Sequence, residues 1–99
     1  MLFLYVKEGC PFCERVLRFA EKNKIPIHQK DIYKDKENLQ ELLKTGGKRQ
    51  VPFLVDTEKN VFMYESSDII RYLEKNYVKR GWKNEKNYVK ERRENRGKK

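Results

Sequence analysis

The sequence is poor in the residue types that build metal sites, disulfide frameworks and membrane spans. Its 99 residues include two cysteines and one histidine, whereas a structural zinc site usually takes four protein ligands. We therefore expect no metal bound within one chain. The apolar opening run, residues 2–6, has five residues, which is too few for a signal peptide or a membrane span. We therefore expect a cytoplasmic protein without membrane contact.

Positive charge dominates, but it is unevenly distributed. The sequence carries 24 Lys and Arg against 15 Asp and Glu, a net charge of +9. Residues 79–99 contain ten of the basic residues and three of the acidic ones, so +7 belongs to this end and +2 to residues 1–78. We therefore predict one domain over residues 1–78 and a basic C-terminal extension over residues 79–99, helical or partly disordered. Contacts with nucleic acid should be nonspecific and confined to this extension.

The two cysteines form a single motif, Cys10-Pro11-Phe12-Cys13, between a strand-like apolar run and a stretch with helical periodicity. This order is typical of a thioredoxin-like redox site. Cys10 would cap the helix, with Pro11 at the first helical position, where no backbone N–H is needed. Free amide groups and the helix dipole favour a thiolate at such a position. We therefore predict that Cys10 is the attacking thiol and that Cys13, one turn further and less exposed, is the resolving thiol.

Apolar periodicity and turn residues divide the domain into alternating elements. We predict strands over residues 2–6, 26–32, 52–56 and 61–64, and helices over residues 11–23 and 35–44 and from residue 66 or 67 onward. Leu39, Leu42 and Leu43 would form the apolar face of the second helix, and Ser66 or Ser67 would cap the third. The order βαβαββα predicts an α/β fold, a four-stranded mixed sheet flanked by helices.

Three further motifs accompany the cysteine pair. Lys7 stands three residues before Cys10, residues 49–52 read RQVP, and residues 65–69 read ESSDI. Together with the order of elements, these motifs resemble the glutaredoxin family, and more narrowly the bacterial glutaredoxin-like proteins that are similar to the N-terminal domain of glutathione S-transferases. The resemblance implies a thioredoxin-like fold over residues 1–78. The remaining residues are too few for the all-helical second domain of a transferase, so we expect a full transferase only if this chain is a fragment.

The resemblance implies a glutathione site beside the cysteine pair. Cys10 would form a mixed disulfide with glutathione under the aromatic cover of Phe12, a position where dithiol glutaredoxins usually have Tyr. The Val51–Pro52 peptide bond would be cis, and it would present the Val51 backbone to the cysteinyl part of the tripeptide.

The resemblance also assigns residues to the two ends of glutathione. Lys7 and Arg49 would meet the glycine carboxylate. Ser66 and Ser67, with Asp68 nearby, would hold the γ-glutamyl end, because free N–H groups at a helix start form a ready carboxylate site.

We therefore predict a monomeric glutathione-dependent thiol–disulfide oxidoreductase. It would reduce protein–glutathione mixed disulfides and disulfides, with glutathione as its co-substrate. The main alternative is a module that binds glutathione, or a glutathione-bridged iron–sulfur cluster, with little redox turnover. A thioredoxin-like protein served by a flavin reductase and a basic nucleic-acid binder are two further alternatives.

Overall fold

A computed structural model describes residues 1–78, and the predicted extension of residues 79–99 lies outside the described residues. The elements follow in the order β1 (Leu2–Val6), α1 (Pro11–Lys22), β2 (His28–Asp31), α2 (Lys36–Gly46), β3 (Phe53–Asp56), β4 (Val61–Tyr64) and α3 (Ser66–Tyr77). The predicted order βαβαββα is confirmed. In this described part, no helix has both the length and the apolar character that crossing a membrane requires.

The four strands form one mixed sheet in the order β2-β1-β3-β4. Strand β1 runs parallel to β2 and antiparallel to β3, and β3 runs antiparallel to β4. The end of β1 therefore lies beside the start of β3, which in turn lies beside the end of β4. For this reason the residues that follow β1, precede β3 and follow β4 meet at one edge of the sheet.

Helices cover both faces of this sheet. Alternate residues of β1 point to opposite faces: Leu2, Leu4 and Val6 pack with buried residues of α1 and α3, whereas Tyr5 packs with Leu42 of α2. The predicted four-stranded sheet flanked by helices is confirmed. Strand β2 is shorter than predicted, and its pairing with β1 extends from His28 to Asp31.

Two local predictions about the helices are wrong. Leu43 is 42% exposed, because the next residue along a helix lies about 100° further round and Leu42 already takes the core position. The N-cap of α3 is Glu65, with a φ of 76° and no side-chain hydrogen bond to the helix. Ser66 is instead the first helical residue, and its hydroxyl accepts a hydrogen bond from Arg15. Ser67 is the second residue of α3.

A buried carboxylate joins the β3–β4 turn to α3. Asp56 is fully buried, and its Oδ2 accepts hydrogen bonds from Tyr72 Oη at 2.6 Å and Tyr77 Oη at 2.5 Å. Its Oδ1 accepts the N–H groups of Glu58 at 3.0 Å and Lys59 at 3.3 Å. Burial alone would raise the pKa of Asp56, but these four donors hold it below its usual value. The carboxylate is therefore a satisfied part of the core.

Candidate active site

The turn between β1 and α1 brings Cys10 to the start of a helix. Gly9 has a φ of 81°, in the left-handed region that residues with a Cβ rarely adopt. The Cys10 N–H then donates to the Lys7 carbonyl at 3.2 Å. Cys10 is the N-cap of α1 and Pro11 is its first residue, as predicted. The Cys13 N–H donates to Cys10 Sγ at 3.3 Å, so one of the free amides of the helix start is directed at this sulfur.

Cys13 lies deeper than Cys10, with exposed fractions of 2% and 7%. Burial, together with the contact with Cys10, raises the pKa of the Cys13 thiol to about 12, although the Lys7 backbone and charge act in the opposite direction. Cys13 is therefore mostly a protonated thiol at neutral pH, and Cys10 is the more accessible of the two sulfurs. Both cysteines are free.

A cleft of about 380 Å³ opens beside Cys10, and we call it the cysteine cleft. It is lined by Lys7, Gly9, Cys10, Pro11, Phe12, Ile32, Tyr33, Arg49, Gln50 and Val51. Two of its aromatic rings are unusually open to solvent, Phe12 at 57% and Tyr33 at 58%. The Arg49 guanidinium lies 5.3 Å from the centre of the Tyr33 ring. The cleft thus combines a thiol with aromatic surface and basic side chains.

A second cleft, of about 360 Å³, lies beside the start of α3, and we call it the serine cleft. It is lined by Phe12, Arg15, Gln50, Val51, Pro52, Glu65, Ser66 and Ser67. Arg15 Nη1 donates to Ser66 Oγ at 3.2 Å, and Gln50 Nε2 donates to Glu65 Oε2 at 3.2 Å. This cleft therefore presents a cation, an anion and a helix N-terminus together.

The two clefts have Phe12, Gln50 and Val51 in common, so they lie side by side, and we call the two together the groove. The Val51–Pro52 peptide bond is cis, as the resemblance implies. The predicted glutathione residues that line this groove are Lys7, Phe12, Arg49, Val51, Pro52, Ser66 and Ser67.

Asp68 is the predicted glutathione residue that lies outside both clefts. It is exposed, and its Oδ1 accepts a hydrogen bond from Arg71 Nη1 at 3.2 Å. Its role as a ligand stays a prediction. Among residues 1–78, no group of three or more His, Cys, Asp or Glu side chains is arranged to hold a metal ion.

Arg15 and Tyr33 also line the groove, although neither is among the site residues predicted from the sequence. Arg15 follows Phe12 by three positions, a spacing that puts both side chains on one face of α1, so helical periodicity could have indicated it. Tyr33 has no such signal. It reaches the groove because β2 runs parallel to β1, so that both strands end at the same edge of the sheet.

Tyr64 holds the loop that carries Arg49, Gln50 and Val51. Its Oη donates to the Lys48 carbonyl at 2.9 Å and accepts the Lys48 N–H at 3.1 Å. Its ring lies 4.5 Å from that of Phe53, measured between centres. A Cβ at Gly46 would lie 2.2 Å from Tyr64 Oη, so the absence of a side chain there allows this close approach.

We predict that Tyr64→Phe loosens this loop without disturbing the core. The variant keeps the ring but loses both hydrogen bonds to Lys48, so the free energy of unfolding should fall by roughly 1 kcal/mol. The melting temperature should fall by about 4–8 °C, and the Lys48 amide should exchange its hydrogen faster. Tyr33→Phe is the matched control, because the Tyr33 hydroxyl makes no hydrogen bond within residues 1–78. Equal stability of the two variants would contradict the role given to Tyr64.

The described fold occurs in both thioredoxin-like proteins and glutathione S-transferases. A thioredoxin-like protein has 21% identity to this chain and a TM-score of 0.66, and the match covers 76% of this chain and 97% of the thioredoxin-like chain. This likeness indicates a common fold. A glutathione S-transferase from the Antarctic clam Laternula elliptica has 35% identity over 77% of this chain and 35% of its own, with a TM-score of 0.66. A search of the curated proteins found no match.

Human glutathione transferase theta-2, solved in complex with glutathione, has 28% identity over 78% of this chain and 32% of its own, with a TM-score of 0.66. The chain thus spans about a third of the length of the transferases that it matches. The profile of the glutathione S-transferase N-terminal domain matches residues 4–81, which is most of the sequence. The chain therefore belongs to the glutathione S-transferase N-terminal domain family.

Proposed function

We propose that this protein is a glutathione-dependent thiol–disulfide oxidoreductase that reduces protein–glutathione mixed disulfides and disulfides. The observation that carries the proposal is the cysteine pair at the start of α1. Cys10 caps the helix, accepts the Cys13 N–H at its sulfur and opens into the cysteine cleft. The family supports glutathione as the partner, because a relative of this family was solved with glutathione bound. We propose the cytoplasm as its setting and a monomer as its active form.

In the first step, the Cys10 thiolate attacks the glutathione sulfur of a protein–glutathione mixed disulfide. A bond forms between Cys10 Sγ and the glutathione sulfur while the original disulfide bond breaks. The substrate protein leaves as a thiolate and takes up a proton from water. Lys7 and Arg49, which line the cysteine cleft, supply positive charge for the glycine carboxylate of the bound tripeptide.

In the second step, a second glutathione thiolate attacks the glutathione sulfur bound to Cys10. Oxidised glutathione leaves, and Cys10 is a thiolate again. Alternatively, Cys13 attacks Cys10 Sγ and expels glutathione, which leaves a Cys10–Cys13 disulfide for reduction by two further glutathione molecules. Burial raises the pKa of the Cys13 thiol and so disfavours its thiolate, and we therefore expect the route through the second glutathione to dominate at neutral pH.

The experiment that tests this function measures reduction of a small glutathione mixed disulfide by the full chain. Turnover is coupled to glutathione reductase, so that oxidised glutathione is read out as NADPH consumption. We expect turnover that requires glutathione. A parallel reaction with thioredoxin reductase in place of glutathione and glutathione reductase should stay at background.

Absence of turnover with glutathione would overturn the proposed activity. Binding of glutathione without turnover would then favour the binding module, and visible absorbance after anaerobic purification would favour the glutathione-bridged iron–sulfur cluster. Turnover with thioredoxin reductase alone would favour the thioredoxin-like alternative.

A further inference from the structure

The two thiols line different clefts. Cys13 lines a third cleft, of about 220 Å³, which does not include Cys10, and we call it the rear cleft. Its lining residues are Val6, Lys7, Glu8, Gly9, Cys13, Glu14, Leu17, Gln29, Asp31 and Lys34. A cleft of this volume with several charged side chains is large and polar enough to hold water. The Cys13 proton therefore has a path to solvent that does not pass through the cysteine cleft.

Three carboxylates line the rear cleft, and one of them differs from the other two. Glu8 pairs with Lys34 at 3.8 Å, and Glu14 pairs with Arg18 at 3.7 Å. Asp31 makes no ion pair within residues 1–78. Its carboxylate is therefore the one in this cleft whose charge no neighbouring cation neutralises directly.

The fold holds the Asp31 carboxylate on the Cys13 side of the sheet. Asp31 pairs in register with Val6, so both side chains point to the same face, where Val6 packs with Cys13. Its Oδ1 accepts the N–H groups of Tyr33 at 2.8 Å and Lys34 at 3.0 Å, which fixes the orientation of the side chain. Its Oδ2 accepts no hydrogen bond from the described part of the chain. One carboxylate oxygen is thus free to accept a proton.

The resolving step needs a proton acceptor. Cys13 has to lose its proton when it attacks Cys10, and burial raises the pKa of the Cys13 thiol. General bases that remove a proton during such an attack accelerate it, directly or through one water. The other charged groups that line the rear cleft are Lys7, Glu8, Glu14 and Lys34.

We propose that Asp31 accepts the Cys13 proton through water in the rear cleft and so promotes the resolving step. This inference rests on the proposed function, since it takes Cys13 as the resolving thiol. As the proton leaves, Cys13 Sγ forms a bond with Cys10 Sγ, the bond between Cys10 and glutathione breaks, and glutathione leaves as a thiolate. Asp31 then releases the proton to solvent. It acts on the proton through water, while the two sulfurs carry out the exchange.

The test follows the resolving step with an aromatic disulfide, dithiobisnitrobenzoate, in place of a glutathione substrate. One equivalent is mixed with the reduced full chain in a stopped-flow spectrometer. Attack by Cys10 releases one coloured thiolate, and attack by Cys13 on the resulting mixed disulfide releases a second. The rate constant of the second release is measured across pH for wild type, Asp31→Asn and Asp35→Asn. Cys13→Ser should show the first release only.

Asp35→Asn is the matched control for loss of a carboxylate in the same loop. The Asp35 Oδ1 accepts the Glu37 N–H at 2.9 Å, much as Asp31 accepts its two backbone donors, but Asp35 does not line the rear cleft. Both asparagine variants keep an oxygen that can accept these N–H groups. Asp35→Asn should therefore stay within about twofold of wild type in both releases.

Asp31→Asn should slow the second release about 100-fold near neutral pH and leave the first release unchanged. The difference from wild type should shrink at alkaline pH, because hydroxide can then remove the Cys13 proton. A purely electrostatic effect has the opposite sign, since a nearby negative charge disfavours a thiolate and its removal would speed the second release. An unchanged or faster second release, a loss that is equal at every pH, or no second release in the wild type would overturn the proposal.

The failure of this inference is distinguishable from failure of the proposed function, because the aromatic disulfide requires no glutathione. Wild-type turnover with glutathione, together with an unchanged second release in Asp31→Asn, would reject only the role of Asp31. A slower second release in Asp31→Asn, in a wild type without glutathione turnover, would support the role of Asp31 and reject only the glutathione-dependent activity.

Discussion

Replacing Cys10 with serine is expected to abolish glutathione-dependent turnover, to below about one thousandth of the wild-type rate. A serine hydroxyl does not ionise near neutral pH and cannot form a mixed disulfide. Neither step of the proposed cycle can then take place, because both require the Cys10 sulfur. Cys13 cannot take over, because burial raises the pKa of its thiol and its exposed fraction is 2%. The measurement is turnover of a glutathione mixed disulfide coupled to glutathione reductase.

Cys13→Ser is the matched control for this experiment. It should retain most of the turnover at neutral pH, because the second glutathione can release the product without Cys13. Two-thiol reduction of a protein disulfide should be lost. In the wild type, the share of the Cys13 route should rise with pH above neutrality, because burial raises the pKa of the Cys13 thiol. Full turnover in Cys10→Ser, or loss of all turnover in Cys13→Ser at neutral pH, would reverse the assigned roles.

Asp56→Asn is expected to cause the largest loss of stability. The substitution preserves volume but replaces a buried anion, and each hydrogen bond from Tyr72 and Tyr77 loses its charged acceptor. Hydrogen bonds to charged groups contribute about 1.5–3 kcal/mol each, so the free energy of unfolding at pH 7 should fall by about 3 kcal/mol. Chemical unfolding of both proteins measures this difference. Tyr72→Phe and Tyr77→Phe should each cause a smaller loss.

The effect of Asp56→Asn should depend on pH. The pKa of Asp56 is lowered in the folded state, so its contribution to stability is fully present above the unfolded value, near 3.9. This contribution disappears as the pH falls through the folded pKa. The difference between wild type and variant should therefore be constant from pH 7 to about pH 5 and should shrink below about pH 4. A difference that stayed constant down to about pH 2 would show that packing, and not the charge, is responsible.

The local parts of the candidate site could be predicted from the sequence because they depend on neighbouring residues. A cysteine followed by a proline at a helix start determines both the cap and the direction of the free amides, and Cys10 caps α1 accordingly. The helices were also predictable, since a period of about 3.6 residues reflects which face is buried, and short apolar runs bounded by turn residues indicated the strands. The order of elements then limited the sheet to a few arrangements.

The errors have a common cause, which is competition from distant residues. Ser66 was predicted as a cap for its own helix, but its hydroxyl is used by Arg15, 51 positions earlier in the chain. Leu43 was predicted in the core, but Leu42 takes that position against Tyr5 and Phe53. The partner of the Ser66 hydroxyl and the choice of Leu42 over Leu43 for the core cannot be predicted from neighbouring residues. Each depends on the part of the fold that packs against the helix.

The sequence by itself determined the elements, the redox motif and the helix cap that directs an amide at Cys10. The tertiary structure alone decided which residues surround that sulfur. Antiparallel pairing of β1 with β3 and of β3 with β4 brings the residues after β1, before β3 and after β4 to one edge. Arg15, Tyr33 and Ser66 become neighbours of the groove only through this pairing and the packing of α1 on α3. Such contacts join positions far apart in the chain, and a local sequence pattern contains no record of them.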